Sequence, residues 1–361
     1  MSENIIIEQG GQEEQSVVVL SIGHAHTLAE VASMKRDYKK LQQIANAVLN
    51  GVNMYGKAAE YHNLGAEFAR QDDYFNAYSI VKRGLDRQYS NDIDLLADAI
   101  HYGSCCGEND ECERLKDRLM ARPRGAWNWR AFTFLIDYLK EQAEQASAEK
   151  IMQILDEALK LCKEYQQVLP LEEKGYIAEA EVRKLRQQYM RASDDHDVAK
   201  KAKDEDIAAK EVLKTALGRS KENPAKIVAV QCALCYADML FEEQEYEETI
   251  SVCQQALAYV ETQPSARIAY FKYLSALCKE AQLREEARKP GKENALRDQK
   301  KVAEVLNEYL VVNKIIEEKT YETNIRNRAA LLAAEAGVPL PEELDEKAAM
   351  LASLFAQLGS N

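Results

Sequence analysis

The chain has 361 residues, a formal net charge of −13, 46% hydrophobic residues, 15 glycines and 7 prolines. Acidity on this scale repels phosphate backbones, so nucleic-acid binding would need a local basic face. No apolar run reaches the roughly 20 residues that cross a bilayer, and the start MSENIIIEQGGQEEQ lacks the basic region and apolar core of a signal peptide, which predicts a cytoplasmic chain with no membrane partner. Long runs of Ala, Leu, Glu, Lys, Gln and Arg favour helix, and alternating Val/Ile/Thr segments are almost absent, so the fold class expected is all-α.

Residues 1–26 read as a flexible or extended N-terminal segment. Positions 1–15 are polar and acidic with a break at Gly10-Gly11, and positions 16–22 (SVVVLSI) suit one short extended stretch. His24 and His26 alternate as a metal or catalytic pair might be spaced, but no carboxylate or cysteine lies beside them, so the plainer reading, residues preceding a helix, is preferred. Thr27 and Glu30 form a capping box, which predicts a leading helix within 27–56, running over 28–49 and stopped in left-handed conformation at Asn50-Gly51.

The stretch 57–91 carries the strongest pattern. Tyr61, Leu64, Gly65 and Phe68 recur at helical spacing, then Ala77, Val81 and Gly84 do so on a second helix, with the polar turn Gln71-Asp72-Asp73 between. Small residues at 65 and 77 allow two helices to approach closely. This resembles the tetratricopeptide repeat, in which a large residue, Leu, Gly and an aromatic are followed by Ala, a bulky and a small residue over about 34 positions; Tyr89 stands near where that family often has Pro. The resemblance implies a right-handed α-solenoid of antiparallel helix hairpins acting as a binding scaffold, with repeats over 57–289 and irregular capping helices over 290–361.

Further along, helices over 92–102 and 109–120 keep the rhythm, although Glu111 stands where the earlier repeat has Ala77. Trp129, Phe132 and Thr133 take the large, Leu and small positions of a helix ending near 142, followed by one over 148–165. A hairpin is expected over 171–191 and 204–219. Asn223-Pro224 suits a helix start. Ala233, Tyr236, Ala237 and Leu240 match the first helix of the pattern again, and Tyr246, Thr249, Cys253 and Ala256 the second. Gln263-Pro264-Ser265 opens a helix carrying Phe271, Leu274, Ser275 and Cys278. After Lys289-Pro290-Gly291, helices are expected over 295–318, 321–335 and 340–358.

Trp127, Arg130 and Phe134 are spaced to share one helical face, distinct from that of Trp129 and Phe132. If the repeat register holds, they look into a concave groove with His62 and Arg70 on one side and Lys272 and Lys279 on the other. Aromatic and Arg residues carry much of the binding energy at interfaces. Core packing of Trp127, and solvated surfaces for His62, Arg70 and the basic stretch 272–301, are the competing readings. Some relatives hold a partner's C-terminal carboxylate with paired Lys and Asn; His62 and Ala66 stand at those sites, so that clamp does not carry over. Cys105, Cys106, Cys112, Cys162, Cys232, Cys235, Cys253 and Cys278 read as reduced thiols. The CxxC of Cys232 and Cys235 falls inside a helix and stands alone, which does not suit zinc.

No phosphate-binding Gly loop, GxSxG or HExxH is present. The sequence therefore predicts a non-enzymatic scaffold or regulatory subunit, without cofactor or metal, that binds a protein or peptide bearing acidic and apolar residues. The alternative is a bacterial sensor of a small signalling peptide, and the third reading a helical enzyme with an unrecognised site.

Overall fold

The computed structural model describes residues 18–52, 54–193, 196–222, 229–259, 267–316, 319–341 and 343–344, among which the regular secondary structure is entirely helical. The chain divides into two compact units, Met1–Pro170 and Leu171–Asn361. This boundary falls inside the region 57–289 expected as one continuous array. Its local cause is Pro170, which has no N–H and biases Leu169 away from helix; the preceding helix ends at Val168.

In the first unit, α1 (Ile22–Met34), α2 (Tyr38–Asn50), α3 (Ala58–Ala69), α4 (Tyr74–Arg87), α5 (Ile93–Cys105), α6 (Asn109–Met120), α7 (Trp129–Gln145) and α8 (Ala148–Val168) form four successive hairpins. The first helices neighbour one another, α1 with α3, α3 with α5 and α5 with α7. Burial follows the 3.6-residue period: Tyr61, Leu64 and Phe68 of α3 and Ala77, Ile80 and Val81 of α4 are fully buried.

The single leading helix expected within 27–56 is instead the hairpin α1/α2. Its start is capped by Ser21, whose hydroxyl accepts the His24 N–H at 3.1 Å. Thr27 lies a turn inside, donating its hydroxyl to the Gly23 carbonyl, so it caps nothing. The break falls at Arg36, where φ is +53°, and Asp37 caps α2 by accepting the Lys40 N–H at 3.0 Å. The expected extended stretch lies partly outside the described residues. Residues 18–20 are not strand, and Ile22 enters α1 fully buried, its N–H donating to the Tyr55 carbonyl. Residues 1–17 lie outside the described ones. Gly51 is not the left-handed stop expected, since its φ is −67°; a Cβ there would lie 2.6 Å from Met54 Cγ and 2.8 Å from the Ala47 carbonyl oxygen.

The second unit contains α9 (Glu173–Arg191), α10 (His196–Glu222), α11 (Val230–Glu242), α12 (Tyr246–Leu257), α13 (Ile268–Arg288), α14 (Gln299–Ile315) and α15 (Lys319–Ala336). Hairpins α9/α10, α11/α12 and α13/α14 follow in order. Within the expected capping segment, α14 packs as the partner of α13, and the Tyr309 hydroxyl donates to the buried Glu280 carboxylate at 2.5 Å. Helix α15 packs on α14 and turns the side chains of Tyr321 and Arg328 onto α11 and α13: the Tyr321 ring lies 5.9 Å from Tyr270 and 6.0 Å from Tyr273, and Arg328 pairs with Asp238 at 3.0 Å. The start of α11 is capped from α9, where Glu173 Oε2 accepts the N–H groups of Gln231 (2.9 Å) and Cys232 (3.3 Å). A carboxylate there satisfies orphan donors and opposes the helix dipole. The starts expected at Asn223-Pro224 and Gln263-Pro264-Ser265, and the helix over 340–358 apart from its first residues, lie outside the described residues.

One turn recurs. Arg36, Asp72, Gly107 and Gln244 hold φ of +53°, +57°, +79° and +63°. The next residue in each case donates its N–H to a carbonyl five positions back: Asp37 to Ala32, Asp73 to Phe68, Glu108 to Gly103 and Glu245 to Leu240, at 2.8 to 3.1 Å. This is the Schellman closure of a helix C-terminus. The donating residue is in each case also the N-cap of the following helix, so α1/α2, α3/α4, α5/α6 and α11/α12 are joined by the same backbone geometry.

Candidate functional site

The first helices α3, α5 and α7 bring together groups far apart in sequence. Counting about 34 residues on from Leu64 leads to Asp98, so a carboxylate occupies a position that is apolar in the preceding repeat. Asp98 is fully buried. Its Oδ2 contacts His62 Nδ1 on α3, and Arg130 Nη1 on α7 lies 3.9 Å from its Oδ1. The same guanidinium lies 3.0 Å from His62 Nδ1 and also contacts His62 Nε2. The imidazole thus lies between the Asp98 carboxyl and the Arg130 guanidinium. Burial pushes the Asp98 carboxyl up; the hydrogen bond from His62 and the charges of His62 and Arg130 act against this. A buried carboxylate without such partners would be costly.

Beside this cluster, His101 of α5 stacks on Phe134 of α7, with ring centres 4.3 Å apart and planes inclined by 17°. Tyr102 and Tyr74 lie at 5.5 and 6.3 Å from the same imidazole. Burial lowers the His101 pKa, opposed by the charges of Asp137, Glu141 and Asp98, which favours a neutral ring. The Arg130 guanidinium stands 5.2 Å from the Trp129 ring and 5.9 Å from Phe134, within cation–π range.

Of the residues expected at the groove, the structure brings His62, Arg130 and Phe134 to one face. Trp127 is a correction: it is 2% exposed and lies outside α7. Asn128 is the N-cap, its Oδ1 accepting the N–H groups of Arg130 and Ala131 at 3.1 Å each, so the helical period that would align Trp127 with Arg130 starts after it. The Trp127 ring packs on Phe132 at 4.9 Å under the Arg124 guanidinium at 4.2 Å. Arg70 is exposed at the end of α3 and pairs with Glu67 at 2.5 Å. Lys272 and Lys279 belong to the second unit. Lys272 is exposed, and Lys279 turns to α14, where it meets Glu308 at 2.6 Å. Sequence reasoning missed Asp98 and His101. The signal for Asp98 was available, an acid at a Leu position of the repeat; His101 had none.

Among the described residues, no group of three or more His, Cys, Asp or Glu is placed to hold a metal ion, and no helix is long and apolar enough to cross a membrane. All eight cysteines are free thiols, and Cys112, Cys162, Cys232, Cys253 and Cys278 are buried.

The close approach of α3 and α4 at Gly65, where a Cβ would lie 2.6 Å from Val81 Cγ2, and the recurring turn closure define a tetratricopeptide-like helical repeat protein. No family model matches the chain, nor does any curated protein. Solved structures similar to it include a thermophilic tetratricopeptide-repeat protein of Thermus thermophilus (17% identity, 61% of this chain and 100% of that one, TM-score 0.41). Another is a tetratricopeptide repeat protein from Parabacteroides merdae (13%, 86% and 98%, TM-score 0.46). Yeast Tom70 is also similar (15%, 91% and 84%, TM-score 0.23).

Proposed function

We propose that the chain is a non-enzymatic scaffold or regulatory subunit that receives a segment of a partner protein on the α3/α5/α7 face of its first unit. The observation that carries this reading is the meeting of His62, Arg130 and Phe134, from helices up to 68 residues apart in sequence, beside the half-buried His101–Phe134 stack. Stacked helical hairpins present such faces as extended binding surfaces. The aromatic groups offer a partner apolar anchors, and Arg130, a quarter exposed, offers a fork for a carboxylate. Because Arg130 also faces Asp98, and Arg70 is matched by Glu67, the surface is less cationic than the sequence alone implies, and apolar contact carries more of the binding.

The test is affinity capture from a lysate of the source organism with the wild-type chain and Phe134→Ala in parallel. A protein retained by the first and lost from the second, with equal melting temperatures, supports the reading. Equal retention by both overturns it. A co-purifying short peptide in place of a protein would select the sensor reading.

A further inference from the structure

The turns that close α1/α2, α3/α4 and α5/α6 lie side by side along one edge of the first unit. The Gln71 amide of the second turn donates to the Ser33 hydroxyl at the end of α1, at 2.6 Å. The Tyr74 ring at the start of α4 lies 6.3 Å from that of Tyr102 near the end of α5. The backbone repeats along this edge, but the charge does not. Residues 34–40 (MKRDYKK) carry four basic side chains and one acid, 70–75 (RQDDYF) one base and two acids, and 105–111 (CCGENDE) three acids and no base. Lys35, Arg36, Glu108 and Asp110 are exposed, and none of the four joins an ion pair among the described residues. Large apolar side chains stand out of the same edge: Met34 is 76% exposed, Tyr38 58% and Phe75 66%.

A row whose charge reverses sign from end to end is complementary to itself turned through half a rotation. About a two-fold axis at the second turn, the basic first turn of each copy faces the acidic third turn of the other. Phe75 then meets its own counterpart on the axis. Met34 and Tyr38 lie over the third turn, where nothing stands within 4 Å of the place a Cβ on Gly107 would take. In such an isologous contact every pairing is made twice. A partner of uniform charge would be drawn to one end of the edge and repelled by the other, which is what selects a second copy as the occupant.

We propose that this edge is a contact between two copies of the chain. Helices pack about 8–10 Å apart, so three neighbouring turns make an edge only roughly 20–30 Å long. The interface is therefore small among specific ones, and its exposed charges are open to screening. The dimer is weak and salt-sensitive. It uses neither His62 nor Arg130 nor Phe134, so it stands apart from the partner face.

Sedimentation equilibrium of the full-length chain over a range of concentrations, at low and at raised salt, tests this with two charge-reversed proteins, Lys35→Glu/Arg36→Glu and Glu108→Lys/Asp110→Lys. Gln244 holds the left-handed position of Arg36 in another turn, so Glu is accommodated there, and the Glu108 side chain makes no cap hydrogen bond. The expected wild type is a monomer–dimer equilibrium that salt weakens. Each reversed protein alone, and Phe75→Ser, should associate about tenfold or more weakly. An equimolar mixture of the two reversed proteins should recover the dimer, because an acidic edge then meets a basic one; an unfolded variant could not do this. A wild type that stays monomeric at the highest concentration overturns the proposal. So do reversed proteins that associate like the wild type, a mixture no better than its components, and association that raised salt leaves unchanged. Species growing beyond the dimer also overturn it, since they would mean first turns meeting third turns head to tail in an open chain.

Discussion

Gly65 and Val81 set how closely α3 approaches α4: a Cβ at residue 65 would fall 2.6 Å from Val81 Cγ2 and 3.4 Å from the Ala77 carbonyl oxygen. Helix propensity alone favours Ala over Gly by about 1 kcal/mol, yet a β-branched neighbour at this distance cannot yield easily. Gly65→Leu is expected to destabilise the protein by about 1–3 kcal/mol through overpacking. Gly65→Ala should cost less in a Val81→Ala background than in the wild type. Urea unfolding of the four proteins of that cycle measures the coupling, and simple additivity would contradict the contact.

His62 and Arg130 are the polar neighbours of the Asp98 carboxyl, which is fully buried. His62→Ala is expected to cost about 3 kcal/mol, in the manner of a buried charge that loses a partner. Asp98→Leu restores the residue type of Leu64, and in that background His62→Ala should cost about 1 kcal/mol or less. Arg130→Glu would place a second carboxylate beside Asp98 and lower the melting temperature, so it is a poor probe of partner binding. Denaturant midpoints check all three.

The lowered pKa of His101 fixes the sign of a pH effect. Between its depressed folded value and the ordinary ~6.5, the unfolded chain binds more protons there than the native one, so stability falls as pH drops through that window. His101→Phe keeps a ring against Phe134 and removes the titration. The difference in melting temperature between wild type and variant should therefore grow in the variant's favour from pH 7 towards 5. A constant difference would show that the imidazole titrates normally.

The thiols should react in order of exposure. Cys105 is exposed, although burial of its sulfur and the charge of Glu141 push its pKa up to about 11. Iodoacetamide at neutral pH is expected to modify Cys105 and Cys106 slowly in the native protein, and to leave Cys112, Cys162, Cys232 and Cys253 untouched until urea unfolds the chain. Mass mapping of the alkylated peptides shows the order.

The α3/α4 hairpin was legible because its apolar period, its small residues and its turn agree. The α1/α2 break was not. Lys35-Arg36-Asp37 contains no glycine or proline, and the strain at Arg36 is carried by backbone hydrogen bonds that local propensity does not report. Trp127 was misplaced for a related reason. Its spacing to Arg130 fits a helix, but Asn128 is the N-cap and the helix starts only at Trp129, so the period does not include it. The cap of α11 was illegible in principle, since Glu173 arrives from a helix more than 50 residues earlier. Of the candidate face, the surface side chains were readable by register, and the buried Asp98 beneath them was visible only as a violation of it.

The recurring turn at Arg36, Asp72, Gly107 and Gln244 works as a standard coupling. Its geometry is held by main-chain hydrogen bonds, so the residue seated in it can vary while the joint does not. A segment cut between successive couplings at Arg36, Asp72 and Gly107, roughly 35 residues, is then a portable module. Adding or removing a whole module keeps each remaining helix in phase with its own hairpin. Inserting one residue inside a helix instead rotates everything beyond it by about 100°. Evolution or design can thus vary the number of hairpins at little cost to the parts already built, and the length of each stack becomes an adjustable quantity.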